Sequence, residues 1–268
     1  YDDTMLEAAI KYKTIVDEFD DAIKAGEFKM YLQPQISAKT RRLTGAEALV
    51  RRIKPDGTII SPIDFIPVYE KSGLISRLDR YIWEQAAAKL GEWKKAGINM
   101  SISVNISPKD FYYIDIFNTF AGLIKKYDIE PSNLKIEITE TTIMSDVPNL
   151  MGELEELRKA GFTLEMDDFG SGYSSLNTLK DINVDVLKVD MGFIKETKNV
   201  KKSRIILASV IKMAKELNLL IITEGVETEE QVDNLTKLGC DVFQGYYFSK
   251  AIDVNEFEKR YLYRKKAG

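Results

Sequence analysis

Apolar segments that finish on acidic residues recur along this chain, and they constrain its fold more than any other feature. Leu134 to Glu140, Phe162 to Asp168 and Leu219 to Gly225 run apolar and then place Glu137 and Glu140, Asp167 and Asp168, and Glu224 at or near their ends. Such runs read as buried strands whose polar residues collect at the C-terminal end. Between them, stretches with helical spacing, such as Leu150 to Ala160 and Ile205 to Leu217, give the strand–helix alternation of βαβ units and a parallel sheet. Parallel strands carry their C-terminal ends to one side. The acids therefore converge on one rim, the side where open α/β sheets and closed barrels both place their active sites. Carboxylates gathered there repel one another and call for a cation.

Eight strand candidates follow from this pattern, at about 29–35, 43–51, 101–107, 134–140, 162–168, 184–190, 219–225 and 241–247. The first two lie too close together for a crossover helix and are expected to pair antiparallel. Eight strands with helices outside, in a chain of 268 residues, predict an α/β fold: a modified TIM (β/α)8 barrel with an antiparallel first strand pair. A doubly wound open sheet is the alternative. Residues 1–25 read as an N-terminal connector helix with Met5, Leu6, Ala9, Ile10, Phe19 and Ile23 as packing positions, and 26–268 as the barrel domain. The chain begins on Tyr1 rather than a methionine and is read as a piece of a longer protein.

Composition narrows the chemistry. There is no histidine and one cysteine, Cys240, which excludes a Ser-His-Asp triad, a histidine-ligated zinc and an internal disulfide framework. Any metal must be held mainly by oxygen, which favours Mg²⁺, Mn²⁺ or Ca²⁺. A net charge of −4 gives no basic stripe for a nucleic acid polymer, and the basic run Arg260 to Lys266 reads as a solvated end. With no apolar run long enough to span a bilayer, the module is expected to be cytoplasmic and without membrane contact, with a membrane-anchored parent protein left open.

A set of motifs in fixed order carries a family resemblance. They are Tyr31-Leu32-Gln33-Pro34, Glu47-Ala48-Leu49-Val50-Arg51, Ser103-Val104-Asn105-Ile106-Ser107, Glu137-Ile138-Thr139-Glu140, Asp167-Asp168-Phe169-Gly170-Ser171-Gly172-Tyr173-Ser174-Ser175-Leu176, Leu187-Lys188-Val189-Asp190, Glu224-Gly225-Val226-Glu227 and Gln244-Gly245-Tyr246-Tyr247-Phe248. Over about residues 28 to 250 the chain resembles the EAL domain, a bacterial phosphodiesterase module for cyclic di-GMP. The resemblance implies two Mg²⁺ or Mn²⁺ ions per site, with Ca²⁺ as an inhibitory occupant. It implies Glu47, Asn105, Glu137 and Asp167 as ligands of the first ion, and Asp167 and Asp168, with Glu224 nearby, around the second. Lys188 and Glu224 would orient and deprotonate the attacking water, with Asp168 among the catalytic groups. Gln33, Glu47, Leu49, Arg51, Asp190 and Gln244 would bind the dinucleotide, and Glu140 would fix the loop Phe169 to Leu176. A homodimer and a tethered GGDEF or sensor domain are the partners it implies.

Physical chemistry makes these roles plausible separately. Strand period two puts Glu47, Leu49 and Arg51 on one face, and Ser103 with Asn105. Two cations roughly 3.5 to 4 Å apart stabilise both oxygens of an in-line displacement, and their effect on water replaces a histidine base. Arg51 offers a bidentate contact to phosphate, and Gly170 and Gly172 give a lid-like loop its freedom. Each residue alone also has a duller reading: Asp167-Asp168 as a strand end and helix cap, Glu47 as a salt-bridged residue, Glu140 as a structural acid at a helix start, Lys188 as a paired barrel lysine, and Tyr246, Tyr247 and Phe248 as core or interface rather than base-stacking platforms.

Two departures from the family pattern stand out. Arg52 replaces a tryptophan that commonly follows Arg51, and Glu165 stands where a small residue is usual. Alternation puts Glu165 one layer beneath Asp167 and Lys135 one layer beneath Glu137, so the two are expected to form a buried pair under the metal site. The leading expectation is hydrolysis of cyclic di-GMP to linear pGpG. A catalytically silent cyclic di-GMP receptor is the alternative, and an unrelated Mg²⁺-dependent barrel enzyme using Lys188 as a base is a third reading.

Overall fold

The computed structural model describes residues 3–169, 179–180, 182–192 and 200–263. Ten strands occur among them: β1 (Phe28–Ser37), β2 (Leu43–Ile53), β3 (Ile59–Ile60), β4 (Ile102–Ile106), β5 (Leu134–Thr139), β6 (Leu164–Asp167), β7 (Val186–Asp190), β8 (Leu220–Glu224), β9 (Val242–Phe243) and β10 (Ile252–Asp253). Eight close into a barrel in the order β1-β2-β4-β5-β6-β7-β8-β9 and back to β1, with β3 and β10 attached at the sides of β2 and β1. Only β1 runs against its barrel neighbours, antiparallel to β2 and to β9. The remaining barrel pairs are parallel, so the modified (β/α)8 barrel replaces the open-sheet alternative.

Period-two alternation sorts each strand into an apolar outer face and a polar lumen. Along β5, Leu134, Ile136 and Ile138 join the main apolar core, while the register pairs Asn105 with Glu137 and Glu137 with Glu165 on the other face. In β1 a register shift between Gln35 and Ile36 interrupts the alternation, and Gln35 is buried beside Gln244, to which its Nε2 donates at 3.2 Å. The helix Ile75–Lys95 anchors β4 from outside: Trp83 Nε1 donates to the Asn105 carbonyl at 3.0 Å, fixing the backbone of a rim residue. The last barrel strand is shorter than the expected 241–247. At Gly245 a Cβ would stand 2.2 Å from the Val226 carbonyl oxygen, so only glycine lets the chain leave the ladder and press against the segment after Glu224.

A second core lies at the N-terminal side, where Phe19, Ala22, Phe28, Phe65, Tyr69, Ile75 and Leu78 pack together. Phe19 meets Tyr69 edge-on at 4.9 Å between ring centroids, so the chain from Phe19 onward shares the packing of the barrel. Arg52 lies beneath this cluster, 2% exposed, with Nη2 on Glu18 at 2.7 Å and Nε on Glu27 at 2.9 Å. Its guanidinium also lies over the Phe28 ring. The departure from the family's tryptophan thus keeps a flat group on the outer face of β2 and uses its charge to clamp the N-terminal segment. Arg52→Met, which strands the Glu27 carboxylate, is expected to cost roughly 3 to 5 kcal/mol in urea unfolding.

Candidate active site

At the C-terminal rim the strands deliver five charged side chains to one point. The buried Lys188 ammonium, 0% exposed, stands 2.6 Å from Glu137 Oε2, 2.9 Å from Glu224 Oε1, 3.4 Å from Asp167 Oδ1 and 3.5 Å from Glu47 Oε2. Each comes from a different strand, β7, β5, β8, β6 and β2. Lys188 and Glu224 arrive there because β7 and β8 pair in parallel, with Lys188 opposite Ile222 and Asp190 opposite Glu224. Among the described residues Lys188 is the only cation in contact with these four acids.

Neutral side chains steady one flank. Asn105 Nδ2 donates to Glu47 Oε1 at 3.3 Å, Gln244 Nε2 donates to Glu47 Oε2 and to Gln33 Oε1 at 3.3 Å, and Gln33 Nε2 donates to the Ser249 carbonyl at 3.2 Å. Glu47 is held at both oxygens, which fixes its orientation. Asp168 has a left-handed backbone, φ 56°, and its N–H donates to Asp167 Oδ1 at 2.8 Å. A non-glycine residue held in that region costs energy, and such strain collects at functional sites.

One ammonium does not balance four carboxylates, and the electrostatics record the deficit. Burial opposes the Lys188 charge, yet Glu137, Glu224, Glu47 and Asp167 together hold its pKa well above that of an ordinary lysine. Burial and then the charge of Glu47 push Glu137 well up. Burial, aided by Asp167 and Glu47 against the pull of Lys188, does the same to Glu224. Asp168 is raised by burial and by Asp167.

Two cavities open beside this cluster, and Leu49 borders both. One, of about 270 Å³, is lined by Leu49, Arg51, Trp83, Asn105, Asp79 and Glu70, among others. Arg51 reaches it with Nη1 on the Val50 carbonyl and its guanidinium over the Tyr31 ring. The other, of about 320 Å³, is lined by Gln33, Glu47, Asp167, Glu224, Gln244 and Tyr246. Tyr246 is 64% exposed, whereas Phe248 stacks on Phe243 at 6.2 Å between centroids. The aromatic run therefore divides: Phe248 is packing, and Tyr246 lines the cavity with the Lys250 ammonium over its ring at 5.1 Å from the centroid. Asp79 and Asp110 form a carboxyl pair by the first cavity. Burial and then Asp110 push Asp79 well up, and burial raises Asp110 to about 6, while Asp110 Oδ2 accepts from Ser107 N at 2.7 Å.

The sequence-based assignments thus converge in large part. Glu47, Asn105, Glu137, Asp167, Lys188, Glu224, Gln33 and Gln244 form one contact network, with Leu49 and Arg51 bordering it. Glu140 is buried in the first turn of the short helix Glu140–Ile143, next in the chain after β5, and the loop it is expected to fix lies, from Gly170 to Leu176, outside the described residues. Asp190 lines neither cavity; its Oδ1 accepts from Gly192 N at 2.6 Å, and it packs so close to Gly225 that a Cβ there would lie 3.0 Å away. Asp79 was not anticipated. Its signal was an acid at the apolar-face spacing of Ile75, Leu78, Ile82 and Trp83. The Lys135–Glu165 pair is present, Nζ to Oε1 at 2.9 Å.

The donor set fits divalent cations in its chemistry, being all oxygen and short of positive charge, with Glu137 Oε1 buried and without a hydrogen-bond partner. Glu47, Asn105, Glu137, Asp167 and Asp168 are the residues that would hold them. Among the described residues the acids do not close into a ready three-ligand metal site; they surround the Lys188 ammonium instead.

Comparison with known proteins identifies the family and agrees with the fold. The EAL domain family model matches residues 16–251. Signaling protein YkoW of Bacillus subtilis is 36% identical over 239 residues, 89% of this chain and 30% of the relative. The bifunctional diguanylate cyclase/cyclic di-GMP phosphodiesterase MucR of Pseudomonas aeruginosa is 32% identical over 243 residues, 90% of this chain and 36% of the relative. The chain therefore spans about a third of the length of these curated relatives. Among solved structures, the PaMucR phosphodiesterase in its c-di-GMP complex superposes with a TM-score of 0.84 at 32% identity, covering 91% of this chain and 99% of that one.

Two pH effects follow from the raised carboxyls. Native Asp110 keeps its proton up to about 6, whereas an unfolded chain releases it near 3.8, so the native state binds more protons in that window and stability falls as pH rises through it. Asp110→Asn should remove that share of the decline, read from urea unfolding at a series of pH values. A divalent cation held by Glu137 would compete with the proton that its raised pKa favours, so Mn²⁺ binding should release protons and tighten as pH rises above the ordinary carboxylate range, measurable by calorimetry in buffers of different ionisation heat.

Proposed function

This chain belongs to the EAL domain family, and from that premise and the rim geometry we propose that it hydrolyses one phosphodiester bond of cyclic di-GMP to give linear pGpG, using two Mg²⁺ or Mn²⁺ ions. The observation that carries the reading is the pair of cavities sharing Leu49, one lined by Glu47, Asp167 and Glu224 of the charged cluster and the other by Arg51 and Asn105. A cyclic dinucleotide has two bases flanking a phosphate ring, and this arrangement offers each base a recess and the phosphate the centre. In the first recess the Asp79 carboxyl, an acceptor, suits the donor edge of a guanine, and Arg51 is within reach of a phosphate oxygen. In the second, the Tyr246 face suits stacking, with Gln33 and Gln244 available to a base or sugar edge.

Divalent cations supply Lewis-acid assistance to the phosphate and to the attacking water when they are bound. The chain's own groups divide the remaining work. Glu224, partly open to the second cavity and raised in pKa, is suited to take a proton from the water. The Lys188 ammonium holds Glu224 and Glu137 in place and donates toward charge developing on the phosphate. Glu47, fixed by Asn105 and Gln244, keeps its carboxylate aimed at the same point. Retention of every acid of the rim supports turnover over silent reception. The diguanylate cyclase named in MucR supports a tethered partner domain as part of the same proposal.

The test is a product assay on cyclic di-GMP with Mg²⁺, Mn²⁺ and Ca²⁺ in parallel. Linear pGpG should form with the first two ions and not with Ca²⁺; intact substrate with every ion, in protein shown to bind it, would overturn the reading in favour of a receptor. Glu224→Ala is expected to lower turnover by about 10²- to 10⁴-fold while sparing nucleotide affinity, and Arg51→Ala to weaken affinity more than Glu224→Ala does.

A further inference from the structure

Beside the second cavity stands a charge that the hydrolysis reading leaves unused. The Lys250 ammonium lies over the ring of Tyr246, 5.1 Å from its centroid, and Tyr246 lines the recess with Gln33, Glu47, Asp167 and Glu224. Lys250 is exposed. Among the described residues no carboxylate pairs with it, although acids line the same recess. Its backbone is nonetheless fixed. The N–H groups of Phe248 and Ser249 both donate to the Gly245 carbonyl at 3.1 Å, and Tyr247 N donates to the Val226 carbonyl at 3.0 Å. Gln33 Nε2 donates to the Ser249 carbonyl at 3.2 Å, and Ser249 Oγ donates to the Lys250 carbonyl at 2.7 Å. Since Gln33 is part of the recess wall, the turn that carries Lys250 is tied to that wall. A lysine so placed joins a fixed root to a flexible four-carbon stem, and its head offers hydrogen-bond donors alone.

We propose that Lys250 sets base specificity in the second recess: with a purine laid on Tyr246, its ammonium donates to the O6 and N7 acceptors of guanine and opposes the amino group that adenine carries in place of O6. The inference rests on the dinucleotide reading of the two recesses and adds which base the second one accepts. A base stacked on Tyr246 brings its edge within the span of the Lys250 stem, because the ammonium already lies over that ring. Stacking alone cannot make the choice, since every base has a π-face and an aromatic ring tolerates them all. The amides of Gln33 and Gln244 each present a donor and an acceptor and so can match either purine. An ammonium that faces an amino group leaves both without an acceptor, and that mismatch is what rejects adenine.

The test is binding of cyclic di-GMP, and of cyclic di-AMP in competition with it, measured in Ca²⁺, where turnover is not expected, beside circular dichroism to establish folding. Wild-type protein should prefer the guanine ligand, and Lys250→Met should lower that preference about tenfold, by weakening cyclic di-GMP and not cyclic di-AMP. Lys250→Arg should hold the preference, since a guanidinium also offers donors alone. Tyr246→Ala should weaken both ligands alike, as loss of a stacking surface does. A folded Lys250→Met that binds cyclic di-GMP within twofold of wild type, or that weakens both ligands by the same factor, would overturn the assignment and leave the hydrolysis reading standing. Wild-type protein that binds neither dinucleotide would overturn both.

Discussion

The structure depends on one imbalance: four carboxylates from four strands meet a single lysine ammonium in a place largely closed to water. In bulk solvent the acids would drift apart at little cost. Here the barrel fixes their strands, and the lower effective dielectric makes each repulsion count. Protons on Glu137 and Glu224 relieve the imbalance in one way, and divalent cations relieve it in another. The second is the one the proposed function draws on, since cations held there would offer positive charge to an anionic phosphate. The barrel's closure, the short β9 and the glycine at 245 can all be understood as means of bringing these side chains together.

Around that centre, the outer shell of the fold supplies rigidity. Trp83 holds the backbone of Asn105 from outside the barrel, and Asn105 with Gln244 holds Glu47 from inside. Arg52 ties the N-terminal segment to the outer face of β2, the strand whose inner face carries Glu47, Leu49 and Arg51. Site residues supported on strands and locked by outer contacts are placed more firmly than residues on free loops. The dinucleotide reading draws on this rigidity, because both cavities share a wall built from β2.

Much of this was legible in the sequence because it follows from local periodicity. Strands that end in acids and the pairing of Lys135 with Glu165 come from period-two alternation combined with parallel register, and the antiparallel first pair comes from a connection too short for a crossover helix. Other features required contacts between distant segments. Nothing local to Lys188 says that it stands at the centre of the acids rather than beside them. Asp79 and Asp110 are 31 positions apart in the chain, and their meeting depends on how the helix Ile75–Lys95 packs against the segment after β4. Tyr246 and Phe248 carry similar rings two residues apart, yet the turn at Gly245 exposes the first and packs the second. Arg52 read as a loss of an aromatic, and its structural use appears only once Glu18 and Glu27 are seen beside it.

The central claim is that divalent cations answer the carboxylate excess at the rim. Anomalous diffraction from crystals grown with Mn²⁺, recorded at the manganese edge, tests it most directly. The account expects strong peaks within coordination reach of Glu47, Asn105, Glu137 and Asp167, with the Lys188 ammonium drawn away from Glu137. Peaks absent from the rim at saturating Mn²⁺, with Lys188 still seated among the acids, would contradict it.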